Sequence, residues 1–208
     1  MTKKKSYQKC KYDLIKKQIN GGSVLTGICQ IQMLEIFALP FQKEEKELVE
    51  FTICFLKKGD KILLLNRDYP EWMGAWNGVG GKIEKNETPL AGALREIKEE
   101  TGIALQDITY KGKITWTDGT TNFGCMYAFI TELPESYPYV TPIKVAEGIL
   151  DWKDLSWIFH PKNVGIADLK YYLPKMLEET NNYEYIFTYK ESKLIDVTTT
   201  PLAQTIIV

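Results

Sequence analysis

Gly81-Lys82-Ile83-Glu84-Lys85-Asn86-Glu87-Thr88-Pro89-Leu90-Ala91-Gly92-Ala93-Leu94-Arg95-Glu96-Ile97-Lys98-Glu99-Glu100-Thr101-Gly102-Ile103 is the stretch on which the reading of this chain turns. It predicts a helix with a start, a stop and two unlike faces. Thr88 suits the N-cap, and Pro89 suits the first helical position, where no backbone donor is needed. Gly102 supplies the stop. At about 100° per residue, Leu90, Ala93, Leu94, Ile97 and Thr101 share one stripe, which should face a core. Glu96, Glu99 and Glu100 share the adjoining side. Carboxylates at i,i+3 and i,i+4 repel one another. A hard divalent cation removes that repulsion through the oxygen ligands it prefers. Taken alone, a Glu-x-x-Glu-Glu segment also reads as a solvated acidic face.

The same stretch satisfies the spacing G-x5-E-x7-R-E-U-x-E-E-x-G-U, with U aliphatic, at Gly81, Glu87, Arg95, Glu96, Ile97, Glu99, Glu100, Gly102 and Ile103. Seven of these are fixed residue types, a coincidence on the order of one in a billion per start point. The stretch thereby resembles the Nudix box. The resemblance implies an α/β (α+β) architecture: a mixed β-sheet sandwiched between helices, with the box forming loop-helix-loop. It implies hydrolysis, dependent on Mg2+ with Mn2+ as a substitute ion, of a nucleoside diphosphate linked to another group. It makes Glu96, Glu99 and Glu100 metal ligands, with Glu100 or a loop glutamate as general base. Gly81, Glu87, Arg95 and Gly102 shape the motif, Arg95 pairing with Glu87.

Two features outside the box bear on the substrate. Trp76-Asn77-Gly78-Val79-Gly80-Gly81-Lys82 carries glycines that allow backbone to approach phosphate or metal closely. Lys82 can meet a phosphate as a point charge. This tract resembles MutT-type 8-oxo-dGTP diphosphatases. In that branch the glycine at Gly80 offers its carbonyl to the cation, and the asparagine at Asn77 lines the base pocket. An amide both donates and accepts, so it can read a purine edge; Asn77 equally suits a tight turn. The second feature is Ala146-Glu147-Gly148-Ile149-Leu150-Asp151-Trp152. MutT-like proteins carry a glutamate before a tryptophan-bearing strand, close to the metal and the catalytic water. Glu147 is the candidate, weighed against Glu132, Glu135 and Asp151. Asp168, with Asn163 as the alternative, falls near the second base-reading position of that branch. The resemblance thus implies an oxidised purine triphosphate cleaved to the monophosphate and pyrophosphate. The alternatives are a Nudix hydrolase for ADP-ribose, a dinucleoside polyphosphate or ordinary NTPs, and an inactive Nudix nucleotide-binding regulator.

Composition agrees with an ordinary globular protein. Of 208 residues, 44% are hydrophobic and 25% charged. The net charge of -1 gives no overall attraction to a nucleic acid polymer or an anionic membrane. The expected partner is a small nucleotide, met by a monomer or homodimer. Cys10, Cys29, Cys54 and Cys125 show no C-x-x-C spacing and read as reduced thiols of a cytoplasmic protein, Cys54 and Cys125 buried in strands. The one histidine, His160, excludes chemistry built on a histidine pair and reads as a surface or helix-entry residue.

Three regions are expected: an N-terminal extension over 1–44, a Nudix domain over 45–180, and a C-terminal hairpin and tail over 181–208. The extension is lysine-rich. Its apolar run from Val24 to Phe41 is broken by Thr26, Gln30, Gln32 and Glu35, which argues against a membrane anchor. Strands are predicted over 49–56 and 62–65, joined by the turn Lys57-Lys58-Gly59-Asp60. A hairpin around Asp118-Gly119 is predicted over 108–116 and 123–131, and another strand over 148–152. A helical segment is predicted over 167–179, kinked or divided at Pro174. A last hairpin turns at Glu191-Ser192-Lys193, and 198–208 is expected to be loosely held.

Overall fold

Val49–Lys58 (β1) and Lys61–Arg67 (β2) are buried on both faces at their centres, which requires a sheet covered on both sides. In the computed structural model, which describes residues 48–70 and 72–203, that sheet has nine strands. The extension expected over 1–44, Cys10, Cys29 and the last five residues lie outside the described residues. The further strands are Trp76–Asn77 (β3), Thr109–Thr117 (β4), Asn122–Glu132 (β5), Ile143–Val145 (β6), Gly148–Asp154 (β7), Tyr183–Lys190 (β8) and Lys193–Pro201 (β9). The helices are Pro89–Thr101 (α1), Leu155–Ile158 (α2) and Leu173–Glu178 (α3), with a 3-10 turn at Asp168–Tyr171.

The strand order is β6-β7-β2-β1-β5-β4-β8-β9, with β3 against β2. Pairs β1–β5 and β4–β8 are parallel and the other pairs antiparallel, so the sheet is mixed as expected. Alternation along the two central strands divides the core. Ile53, Phe55, Ile62 and Leu64 face Ile158, Leu169, Leu173 and Met176 on one side. Cys54, Leu56, Leu63 and Leu65 face Ala93 and Ile97 of α1 on the other. Each of the Ile, Leu, Phe and Met side chains contributes roughly 1.5–3 kcal/mol when taken fully out of water. Cys54 and Cys125 are buried, unpaired thiols in β1 and β5.

Several elements differ from the sequence expectation. The segment 167–179 is divided between the 3-10 turn and α3, with Pro174 in the first turn of α3, where its missing donor does no harm. β9 continues to Pro201, opposite Tyr183, so the residues from 198 to 201 are strand rather than loose tail. Their threonines pair along the sheet without an apolar alternation to announce it. β3, β6 and α2 are too short to leave a period in the sequence. Among the described residues no helix is long and apolar enough to cross a membrane.

Candidate functional site

The box helix begins and ends where its residues dictate. The Thr88 hydroxyl accepts from the Ala91 N–H at 3.2 Å, Pro89 opens α1, and Gly102 closes it at φ 76 while donating to the Lys98 carbonyl. Ala93, Ile97 and Thr101 are buried, with Leu90 and Leu94 packed beside them. This fixes the rotation of α1 and therefore the heading of its glutamates.

Residues 79–83 run antiparallel along β1. Thr52 N–H donates to the Gly81 carbonyl at 2.8 Å, and Ile83 N–H donates to the Glu50 carbonyl at 3.0 Å. The approach is so close that a Cβ on Gly80, whose φ is 146, would run into the Thr52 carbonyl. A Cβ on Gly81 would run into the Glu96 carboxylate. Two glycines therefore let a loop lie between a strand and an acidic helix. The Gly80 N–H donates to Glu100 Oε2 at 2.8 Å, a contact the sequence reading did not foresee.

Arg95 is the hub of the motif. Its Nε and Nη2 grip the two oxygens of Glu87, each at 2.9 Å. Nη1 reaches Glu96 at 2.8 Å and Glu99 at 3.0 Å, and Nη2 also meets the Lys82 carbonyl at 3.1 Å. The expected Arg95–Glu87 pair is present, extended to two of the candidate ligands. The Glu99 side chain is 59% exposed and lies outside the cavity lined by Glu96 and Glu100.

That cavity, of about 1090 Å3, brings most of the candidates together. Glu96, Glu100, Glu147, Gly80, Gly81 and Lys82 line one part of it, and Asn77 and Asp168 line another. Glu147 sits at the β6–β7 turn, where its carbonyl accepts from the Asp68 N–H at 2.9 Å. Glu132 is paired with Lys57, and Asp151 with Lys153 and Thr141, both away from the cavity. Glu135 is also not among the lining residues. His160 is exposed and lies just past α2.

Charge is unbalanced at the acidic end. Burial pushes the Glu100 carboxyl up to about 8; the Gly80 hydrogen bond opposes this, and Glu147 and Glu96 add to it. Burial likewise raises Glu96, against the hydrogen bond from Arg95. At the other end, Trp76 N–H donates to the Gly165 carbonyl and Ala167 N–H to the Trp76 carbonyl, which brings Asp168 close to Asn77. Burial raises the Asp168 carboxyl. Asn77 Oδ1 accepts from the Gly78 N–H at 2.9 Å, so the amide oxygen shapes the turn while the residue still lines the cavity. Asn163 is used locally, donating to the Trp157 carbonyl and accepting from Gly165.

The structure adds residues that the sequence reading passed over. Arg67, at the end of β2, lies 3.4 Å from Glu147 and lines the cavity, and its buried Nε has no partner among the described residues. The available signal was a basic residue closing a buried strand just before the glycine-rich loop. Trp72 also lines the cavity; it is 46% exposed and sits at φ 71, an uncommon conformation for a large side chain.

Residues 46–151 match the NUDIX domain model, which covers half of the chain. The chain belongs to the Nudix family. Among curated proteins it is 32% identical over 109 residues to the uncharacterized Nudix hydrolase YvcI of Bacillus subtilis, covering 50% of this chain and 65% of that protein. It is 32% identical over 66 residues to the oxidized purine nucleoside triphosphate hydrolase of Mus musculus, covering 32% of this chain and 42% of that protein. The chain therefore spans less than two thirds of these relatives' lengths. Among solved structures, a MutT protein from Bacillus halodurans aligns with a TM-score of 0.58 at 25% identity, over 73% of this chain and 97% of that one. The Nudix domain of Shewanella oneidensis NrtR, solved with ADP ribose, aligns with a TM-score of 0.52 at 17% identity, over 69% of this chain and 95% of that one, which supports the fold alone.

Nudix hydrolases generally use divalent metals. Among the described residues no three His, Cys, Asp or Glu side chains stand ready-made around one point, and Arg95 engages Glu96 and Glu99. The donor chemistry nevertheless fits a hard cation. Glu96, Glu100 and Glu147 are oxygen donors on one cavity wall, and two of them have raised carboxyl pKa values from burial and mutual repulsion.

Proposed function

We propose that this chain is a nucleoside triphosphate pyrophosphatase of the MutT-like branch, acting on 8-oxo-dGTP or a related oxidised purine nucleotide. The reading rests on one observation: a cavity that is lined by Glu96, Glu100 and Glu147 with Arg67 and Lys82, and also by aromatic side chains interspersed with polar ones such as Asn77 and Asp168. A ligand with a polyanionic part and a flat ring system uses both kinds of lining.

Glu96, Glu99, Glu100, Glu147 and the Gly80 carbonyl would hold Mg2+, Glu99 after release from Arg95. Bound there, Mg2+ supplies charge neutralisation at phosphate and a more acidic water. The chain's own groups do the rest. Arg67 and Lys82 meet phosphate oxygens. Glu100 or Glu147 takes the proton of the attacking water. The Gly80 N–H fixes Glu100 through one oxygen and leaves the other unengaged. Arg95 holds the loop to the helix. Asn77 and Asp168 present an amide and a carboxyl to the purine edge. The products are the monophosphate and pyrophosphate.

A second reading is a hydrolase for a nucleoside diphosphate carrying a larger group, such as ADP-ribose. The volume of about 1090 Å3 favours it, being slightly above the roughly 300–1000 Å3 usual for small-molecule sites. The deciding experiment measures kcat/KM with Mg2+ over 8-oxo-dGTP, dGTP, the ordinary NTPs and ADP-ribose. The sanitising reading predicts that 8-oxo-dGTP exceeds dGTP. Equal values for those two remove it. An inert protein that still binds nucleotide makes the chain a regulator.

A further inference from the structure

The parallel pairing of β4 with β8 puts two hairpin tips side by side. Thr117 lies opposite Thr188, so the β4–β5 turn and the β8–β9 turn leave the sheet at the same end. Both tips reach the cavity: Asp118 and Phe123 line it from the first, and Tyr189, Glu191 and Ser192 from the second. The rings of Phe123 and Tyr189 join the tips edge to face at 6.1 Å. Phe123 is nevertheless 45% exposed, a large apolar surface left open at the cavity.

Two more observations mark this rim as built for a flat ligand. Behind it, Trp116 lies against β5 so closely that a Cβ on Gly124 would stand 2.8 Å from its ring, and Trp116 meets Phe51 edge to face at 5.9 Å. The indole is thus laid down as a floor, and only a glycine leaves room for it. The β8–β9 turn joins Lys190 to Lys193 through two residues, Glu191 and Ser192, both left-handed at φ 48 and φ 62. Such turns favour Asn and Gly. Non-glycine residues held there cost energy, and strain of that kind clusters at ligand clamps. β8 and β9 also lie beyond residues 46–151, so this wall is not part of the stretch that marks the family.

We propose that Phe123 and Tyr189 form an aromatic clamp across the two hairpin tips, one ring stacking on the ring of the bound nucleotide and the other meeting it edge-on, over the Trp116 floor, and thereby setting which rings the site accepts. This rests on the nucleotide reading of the cavity. Stacking of a base on an aromatic side chain contributes enough that truncation to alanine weakens binding by about 5- to 150-fold.

The test compares steady-state kinetics of wild type, Phe123→Ala, Tyr189→Ala, the double variant and Tyr189→Phe on purine and pyrimidine triphosphates. Thermal melts confirm that each variant is folded; Phe123, being exposed, is the safer of the two. Each alanine variant should raise KM for purine triphosphates roughly tenfold, with the loss carried by KM rather than kcat. The double variant should lose less than the product of the two, because the rings touch. Tyr189→Phe keeps the ring and should restore tight binding. Unchanged KM in folded Phe123→Ala and Tyr189→Ala overturns the clamp and leaves the hydrolase reading standing. Should the wild type turn over no nucleotide, equilibrium binding of the same nucleotides replaces KM, and the same ratios decide. A wild type that neither hydrolyses nor binds any of them overturns both.

Discussion

Glu100 is the residue at which burial and charge conflict most. It is nearly inaccessible, faces Glu147 and Glu96, and its carboxyl is pushed up to about 8, with burial the largest cause. A carboxyl whose folded value lies above its unfolded one holds its proton longer in the folded state. Metal-free protein should therefore lose stability as pH rises from about 4.5 to about 8. Melts in chelator at pH 5 and pH 8 should show this fall, and Glu100→Gln, which mimics the protonated group, should flatten it. The same variant should lose turnover by roughly 10²–10⁴-fold in a pyrophosphate-release assay. A normal rate would remove Glu100 from the chemistry. The two loop glycines make a matched pair. Gly80→Ala meets backbone at a left-handed φ and should cost about 1–3 kcal/mol of stability. Gly81→Ala meets the Glu96 carboxylate first, the far end of a flexible side chain, so it should fold better than Gly80→Ala and lose Mg2+ affinity instead. Equal melting losses in the two would contradict this. At this scale the sequence was legible where a spacing repeated a known pattern, as in the box, and where a glutamate preceded a tryptophan strand, as at Glu147. Arg67 was not legible, because its place at the cavity comes from the Glu147 turn folding back beside the end of β2.

Among elements, α1 carries the site, and it could be read almost completely. Thr88, Pro89 and Gly102 mark its ends, and Ala93 and Ile97 mark its buried face. The sequence did not show how the helix is fastened to the loop before it. Arg95 does that by gripping both oxygens of Glu87 while touching Glu96, Glu99 and the Lys82 carbonyl. A lysine keeps the charge and cannot reproduce the fork. Arg95→Lys should therefore cost about 1–2 kcal/mol by urea unfolding, a figure reduced for partial exposure, and should weaken metal binding as well. Unchanged values of both would show that the fork is incidental. Short elements escaped the reading for a different reason. β3, β6 and α2 exist through their neighbours' hydrogen bonds, and two to four residues carry no period.

For the whole molecule, the sheet order decides what the cavity is. Nothing in the sequence orders nine strands as β6-β7-β2-β1-β5-β4-β8-β9, since parallel pairs join segments far apart in the chain. The C-terminal hairpin, expected as a region of its own within 181–208, pairs with β4 from Gly112↔Tyr183 to Thr117↔Thr188, and its Tyr185 and Phe187 are buried in the core. Removing residues 182–208 should leave an aggregating chain with an open edge at β4 rather than a trimmed active domain; a monomeric, active truncation would refute this. The central claim is that Glu96, Glu100 and Glu147 gather to hold a divalent cation against a nucleotide's phosphates. Calorimetric titration of Mg2+ into the folded protein, with and without a non-hydrolysable nucleotide triphosphate, tests it most directly. The account predicts uptake that tightens when nucleotide is present and is lost in a folded Glu96→Gln/Glu100→Gln variant. Wild-type protein that takes up neither Mg2+ nor Mn2+ under either condition would contradict it.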